Sequence, residues 1–157
     1  MIGEDRLPLF AFGTLMDPDV LALVCDVAPG SFPTESARAV DSTRRWVVDD
    51  HYPVLVAAPG EALDGVLVHD LDESALARIR FFEGEEFELA PITVRRDADG
   101  ESVRAWHFAH AARKAVADMA WELADWQSST KADMLPRVRR YMACFGRMSV
   151  AEADAYW

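Results

Sequence analysis

Phe10-Ala11-Phe12-Gly13-Thr14-Leu15-Met16-Asp17-Pro18 joins an apolar run to a glycine and then to a helix start. Phe10, Ala11 and Phe12 are too few for a helix face and read as a buried strand, with Gly13 giving the backbone freedom for a sharp exit. Asp17 suits an N-cap, and Pro18 suits the first helical position, where a missing N–H costs nothing. A strand end that runs into a tight loop leaves several backbone N–H groups without ladder partners. Such groups can face the carbonyl or carboxylate of a ligand. The pocket is therefore expected at this loop.

Downstream, Pro18 to Val27 reads as a short helix with Val20, Leu21, Leu23 and Val24 apolar, closed by Pro29-Gly30 and Pro33. Glu35 to Val48 is strand-like, with Trp46-Val47-Val48 entering the core. Tyr52-Pro53-Val54-Leu55-Val56 is a further extended run, ended by Pro59-Gly60. Ala62 to Leu71 alternates around Val66 and Val68, with Gly65 a bulge or a point of close approach. Asp72 caps a helix running through Phe82, with Leu76 and Ile79 on one face. Phe87 to Arg96 and Ser102 to His110 make a hairpin across Asp97-Ala98-Asp99-Gly100. Ala111 to Trp126 and Lys131 to Phe145 read as helices, and Ser149 with Glu152 as a capping box. The pattern is α+β, a compact mixed sheet or small barrel with C-terminal helices packed on it.

At 157 residues, half of them apolar, the chain fits one domain with a real core. No window approaches a membrane span, and residues 1–6 lack the apolar stretch of a signal peptide, so a cytoplasmic address is expected. The formal charge of −11 argues against nucleic acid and against an anionic membrane surface. The second half is nearly balanced, and its basic groups are candidates to meet an anionic substrate. Cys25 and Cys144 are too few and too far apart for a disulfide framework and read as buried free thiols. His107 and His110 lie three apart in a strand and so point to opposite faces, which disfavours a shared metal. His51 and Tyr52 are candidates to line the pocket or to serve as ordinary loop and packing residues. Ser128, Ser129 and Thr130 read as loop and N-cap, Trp106, Trp121 and Trp126 as core, and Arg137, Arg139 and Arg140 as a solvated face.

Glu83, in Phe81-Phe82-Glu83-Gly84-Glu85-Glu86-Phe87, follows two aromatics where a helix gives way to a strand. If the aromatics are core, the carboxylate is held against apolar surface and desolvation raises its pKa, as suits a base near neutral pH. Glu85, Glu86 and Glu88 would push the same way. A solvated acidic turn is the alternative reading.

Phe12-Gly13-Thr14-Leu15-Met16 resembles the Tyr-Gly-[Ser/Thr]-Leu loop of the gamma-glutamylcyclotransferase-like family, which includes plant avirulence-induced-like proteins. Tyr52-Pro53-Val54-Leu55-Val56 resembles that family's Tyr-Pro segment, and Gly65-Val66-Leu67 its following strand. Phe82-Glu83-Gly84-Glu85-Glu86-Phe87 is similar to its Phe-Glu-Gly-x-x-Tyr signature, and Ala105-Trp106-His107-Phe108 falls at its closing strand. These short pieces keep the family's order between about residues 8 and 110.

The resemblance implies an α+β fold over residues 1–157, a small mixed β-barrel core at about 7–110 with flanking helices, and a C-terminal helical extension at about 111–157. It implies Glu83 as catalytic acid/base, with Phe12, Gly13, Thr14, Leu15 and Tyr52 binding a small-molecule γ-glutamyl substrate. The α-amine would attack its own γ-carbonyl and release 5-oxoproline. No metal or organic cofactor is required, because the nucleophile belongs to the substrate.

Three positions depart from the family pattern. Phe12 and Phe87 each lack a hydroxyl, and Arg80 stands where an Asp is common. Arg80 would either pair with Glu83 and lower its pKa or point outward. Two other readings stand beside the enzyme: a catalytically silent small-molecule binder, and a related amide or acyl-transfer enzyme.

Overall fold

The structure, a computed structural model, describes residues 7–47, 52–110 and 116–157. All three residues of β1 (Leu9–Ala11) are buried, as befits a strand covered on both faces. It pairs antiparallel with β3 (Pro53–Val68) and parallel with β5 (Ser102–His110). β5 continues to β4 (Phe87–Arg96), β4 to β2 (Thr34–Val47), and β2 back to β3. Five strands thus close a mixed barrel.

Alternate residues along these strands form two apolar clusters. Phe10, Ala37, Ala39, Leu63, Leu67, Val94 and Ala105 belong to one that contains no helical residue, and it fills the barrel interior. Leu9, Ala11, Val68 and Phe108 face the other way, against α1 (Pro18–Cys25), α2 (Glu73–Glu83) and α4 (Lys131–Met142). Inside the barrel, Gly65 is the point of close approach that the sequence suggested. A Cβ there would lie 2.5 Å from the Phe10 ring and 2.7 Å from the Ala11 carbonyl oxygen. Gly65→Ala is expected to cost about 1–3 kcal/mol through overpacking. Thermal denaturation should show the midpoint several degrees lower.

Local signals explain most of the elements. The Asp17 carboxylate accepts from the N–H groups of Asp19 and Val20, and that of Asp72 from Ala75, so both acids cap as expected. Gly100 closes the β4–β5 turn with φ +71°, and the hairpin keeps the expected bounds. Ser149 and Glu152 make the reciprocal cap of α5 (Val150–Ala153). Cys25 and Cys144 are free and buried.

The structure corrects four expectations. Pro59-Gly60 does not end a strand. Residues 58–61 bulge inside β3 opposite Asp41, whose carboxylate takes the Gly60 N–H. The helix expected from Ala111 to Trp126 is instead a strand, β6 (Val116–Ala120), then α3 (Leu123–Ser129). β6 pairs with the far half of β2, satisfying an edge that the barrel leaves open. Ser128 and Ser129 end α3 and bond the Asp125 carbonyl, so only Thr130 lies between helices. Trp121 and Trp126 are buried, whereas Trp106 is only half-buried. His51 and residues 1–6 lie outside the described residues. No helix among the described residues is long and apolar enough to cross a membrane.

Candidate active site at the end of β1

The loop leaving β1 is shaped by one close approach. Gly13 has φ −126°, so no left-handed conformation demands glycine. A Cβ, however, would come within 3.2 Å of the Pro53 ring. Steric room, more than the backbone freedom expected from sequence, makes glycine fit. Thr14–Met16 then form a single 3-10 turn, in which Met16 N–H donates to the Gly13 carbonyl and Asp17 N–H to that of Thr14. Such a turn leaves its first N–H groups unclaimed. Among the described residues no acceptor meets the N–H of Gly13, Thr14 or Leu15.

Two polar side chains, half-buried Arg44 and fully buried Asp17, hold this loop from behind. Arg44 of β2 donates from Nη1 to the carbonyls of Phe12 (3.0 Å) and Asp64 (2.7 Å), and from Nε to that of Trp121 (2.9 Å). Burial pulls its pKa down, though Glu122 and Asp64 favour the charge. A lysine has no planar fork to serve three carbonyls. Arg44→Lys is expected to cost about 2–3 kcal/mol and roughly 5–10 °C in Tm by calorimetry, through carbonyls left unpaired. Asp17 is the second anchor, taking Gln127 and Lys131 from the C-terminal helices besides its two cap bonds.

Glu83 arrives from the other side, as the last residue of α2. Gly84 turns the chain away with φ +77°, a conformation that favours glycine. Phe81 is buried, and its carbonyl accepts a 2.6 Å bond from the Tyr141 hydroxyl of α4, which fixes the end of the helix. The Glu83 carboxylate has no hydrogen-bond or ion-pair partner among the described residues. It is reached through the cavity, and protein atoms surround it on its other sides. Burial pushes its pKa up to about 8. A carboxylate beside the negative end of a helix is disfavoured in the same direction.

Arg80 is exposed and makes no ion pair with Glu83, so of the two orientations it takes the outward one. Glu85, Glu86 and Glu88 do not supply the push expected of them, since burial alone accounts for the shift. Glu86 is occupied by the Tyr52 hydroxyl, which donates to it. Tyr52 therefore lines the cavity with a ring stacked edge-on against Phe87, while its hydroxyl is engaged.

The two sides meet in one recess. Phe12, Gly13, Thr14, Leu15, Tyr52 and Glu83 all line a narrow inner cavity of about 50 Å³. It shares Thr14, Tyr52, Glu83 and Phe87 with the lining of an adjacent outer cavity of about 410 Å³. The outer walls come from α2, α4 and the C-terminal turns. Sequence reading missed the walls from α4 and the C-terminal turns, and Arg44. The apolar stripe Met134, Val138 and Tyr141, spaced i, i+4, i+7, was the available signal for the α4 wall.

No basic side chain lines either cavity among the described residues, and Arg113 and Lys114 of the second half lie outside them. His107 and His110 lie apart from the cavities, His107 bonding the Ala90 carbonyl. No metal-ligating cluster occurs among the described residues. Arg137, Arg139 and Arg140 are exposed.

Comparison with known proteins places this arrangement. Residues 9–128 match the family model described as Gamma-glutamyl cyclotransferase, AIG2-like. AIG2-like protein A of Arabidopsis thaliana is 24% identical over 149 residues, 92% of this chain and 88% of that protein. A solution structure of an Arabidopsis thaliana protein superposes with TM-score 0.63 at 21% identity, over 93% of this chain and 97% of the other. A structure titled gamma-glutamyl cyclotransferase gives TM-score 0.61 at 12% identity, over 96% and 86%. At these identities the structural likeness speaks for the fold.

Proposed function

The chain belongs to the gamma-glutamyl cyclotransferase, AIG2-like family, and from that premise we propose that it is an enzyme that cyclises γ-glutamyl compounds. One observation carries the reading: an unpaired carboxyl with a pKa near 8 shares a recess with unclaimed backbone N–H groups. Glu83 takes a proton from the substrate's α-ammonium, and the freed amine attacks the γ-carbonyl. The N–H groups of residues 13–15 bind the substrate carboxylate or the developing oxyanion. Glu83 returns the proton to the leaving nitrogen as the C–N bond breaks. The products are 5-oxoproline and an amine or amino acid.

Nucleophile and electrophile sit in one molecule, so the site supplies orientation, a proton relay and charge stabilisation. Phe12 and Phe87 offer no hydroxyl, so polar recognition falls to the backbone amides and Thr14. Two free, buried thiols support a reducing, cytoplasmic setting.

The test is release of 5-oxoproline from a panel of γ-glutamyl amines, amino acids and peptides. Release of free glutamate would point to an amide hydrolase or acyl transferase. Binding by calorimetry without any product would leave a silent binder of the same fold.

A further inference from the structure

A γ-glutamyl substrate brings a carboxylate to a recess that, among the described residues, no lysine, arginine or histidine lines. The net charge of −11 gives the wider field the wrong sign to help. A cation does stand one peptide behind the loop. Arg44 Nη1 donates at 3.0 Å to the Phe12 carbonyl, and that carbonyl and the Gly13 N–H are the two ends of one amide. Its other partners are the carbonyls of Asp64 and Trp121 and the Trp121 ring, whose centre lies 5.7 Å from Cζ, all of them neutral. Among the described residues no carboxylate forms an ion pair with Arg44, and Glu122 and Asp64 act on it only at longer range. Lys131, by contrast, is held by Asp17 and Asp19.

We propose that Arg44 is a positioning residue that charges the loop from behind: acting through the Phe12–Gly13 peptide, its cation lets the amides of residues 13–15 hold an anion. The inference rests on the cyclotransferase reading and adds to it the source of positive potential. A cation bonded to a carbonyl oxygen draws electron density along the amide and leaves the N–H at its other end a stronger donor. The charge also attracts the anion directly, most strongly in a site shielded from water. Guanidinium suits the place, because it keeps its charge when half-buried and its fork serves several carbonyls at once.

Two ligands test the claim: 5-oxoproline and 2-pyrrolidinone, the same ring with and without a carboxylate. Binding is titrated by NMR well below pH 8, where Glu83 is mostly neutral. The parent should bind 5-oxoproline about tenfold tighter or more. Arg44→Gln should bring the two affinities to within about threefold of each other, whereas Arg44→Lys, though less stable, should keep most of the preference. If Arg44 only braced the loop, both substitutions would weaken both ligands alike; an unchanged ratio in Arg44→Gln overturns the proposal. So does a parent that binds the two equally or binds neither. Should Arg44→Gln not fold, Glu122→Gln decides, since that side chain is exposed and makes no cap bond. Without this opposing charge the preference should rise about twofold, and a ratio that stays put would again overturn the proposal. Turnover is a separate arm. A panel from which the parent releases no 5-oxoproline counts against the cyclotransferase reading, while the titrations still decide the part played by Arg44.

Discussion

Glu83→Gln is expected to lower kcat/KM for 5-oxoproline release by about 10²–10⁴-fold, the usual contribution of a positioned acid/base. The amide keeps the size and polarity of the acid but can neither accept the ammonium proton nor return it. Among the described residues Glu83 is the one carboxylate lining the inner cavity, and the nearby Glu86 already holds Tyr52. Arg80 points outward and supplies no second route. KM should move far less than kcat, since the loop amides that would bind substrate lie on a different element. A variant that released product at the parent's rate would remove Glu83 from the mechanism.

The same side chain predicts two pH dependences. With a pKa near 8, the free enzyme holds Glu83 mostly protonated at pH 7. The base form grows tenfold per unit below that value, so kcat/KM should climb between pH 6 and 8 and then level. A limb centred near pH 4.5, the ordinary glutamate range, would contradict the burial argument.

Stability runs the other way. The native state binds more protons than the unfolded chain between about pH 4.5 and 8, so the parent loses stability as pH rises through that window. Glu83→Gln escapes this loss. It should melt at a higher temperature than the parent at pH 8, by an amount on the order of a few kcal/mol, with the gap closing towards pH 4.5. Gain in stability with loss of rate is the pattern expected where a site keeps a strained charge for chemistry.

How much of this was legible in the sequence depended on how local each cause was. The β4–β5 hairpin was read to the residue, because strand alternation and the Asp-Gly turn are short-range signals. The strand–loop–helix passage at residues 10–18 was legible for the same reason: a cap acid and a proline act on their neighbours. β6 was not. Its Ala- and Met-bearing sequence leans towards helix, and only the open edge of β2, some 70 residues earlier, makes it a strand.

The β3 bulge was hidden likewise, since Pro59-Gly60 signals a stop unless a carboxylate at Asp41 takes the Gly60 N–H. Glu83 could be placed at a helix end by sequence, but its lack of a partner could not. That lack depends on Arg80 facing solvent and on Tyr52 engaging Glu86. Arg44 left no trace at all, as its three carbonyl partners lie 20, 32 and 77 positions away.

Asp17→Ala should be the most damaging change to the fold outside the apolar core. Its carboxylate is fully buried and collects four donors: the N–H groups of Asp19 and Val20 on one oxygen, Gln127 Nε2 and Lys131 Nζ on the other. Burial alone would raise its pKa, but the bonds from Gln127, Lys131, Val20 and Asp19 outweigh it and hold the carboxyl below the usual range. Alanine removes the cap of α1, strands the Gln127 amide of α3 and leaves Lys131 of α4 with Asp19 as its remaining partner. The combined cost is about 3–5 kcal/mol, or roughly 10–15 °C in Tm.

The contribution is present above the unfolded carboxyl's ordinary pKa of 3.8 and is lost as pH falls through the lower native value. Parent and variant should therefore converge on acidification and differ fully at neutral pH. Because Asp17 directly follows the 3-10 turn, loosening its side-chain anchor also reaches the loop amides, and kcat/KM should fall. The limb near pH 8 should stay where it is, since Glu83 sits on α2, away from the break. A melting point within a few degrees of the parent would show that the C-terminal helices are held to the barrel by apolar packing alone.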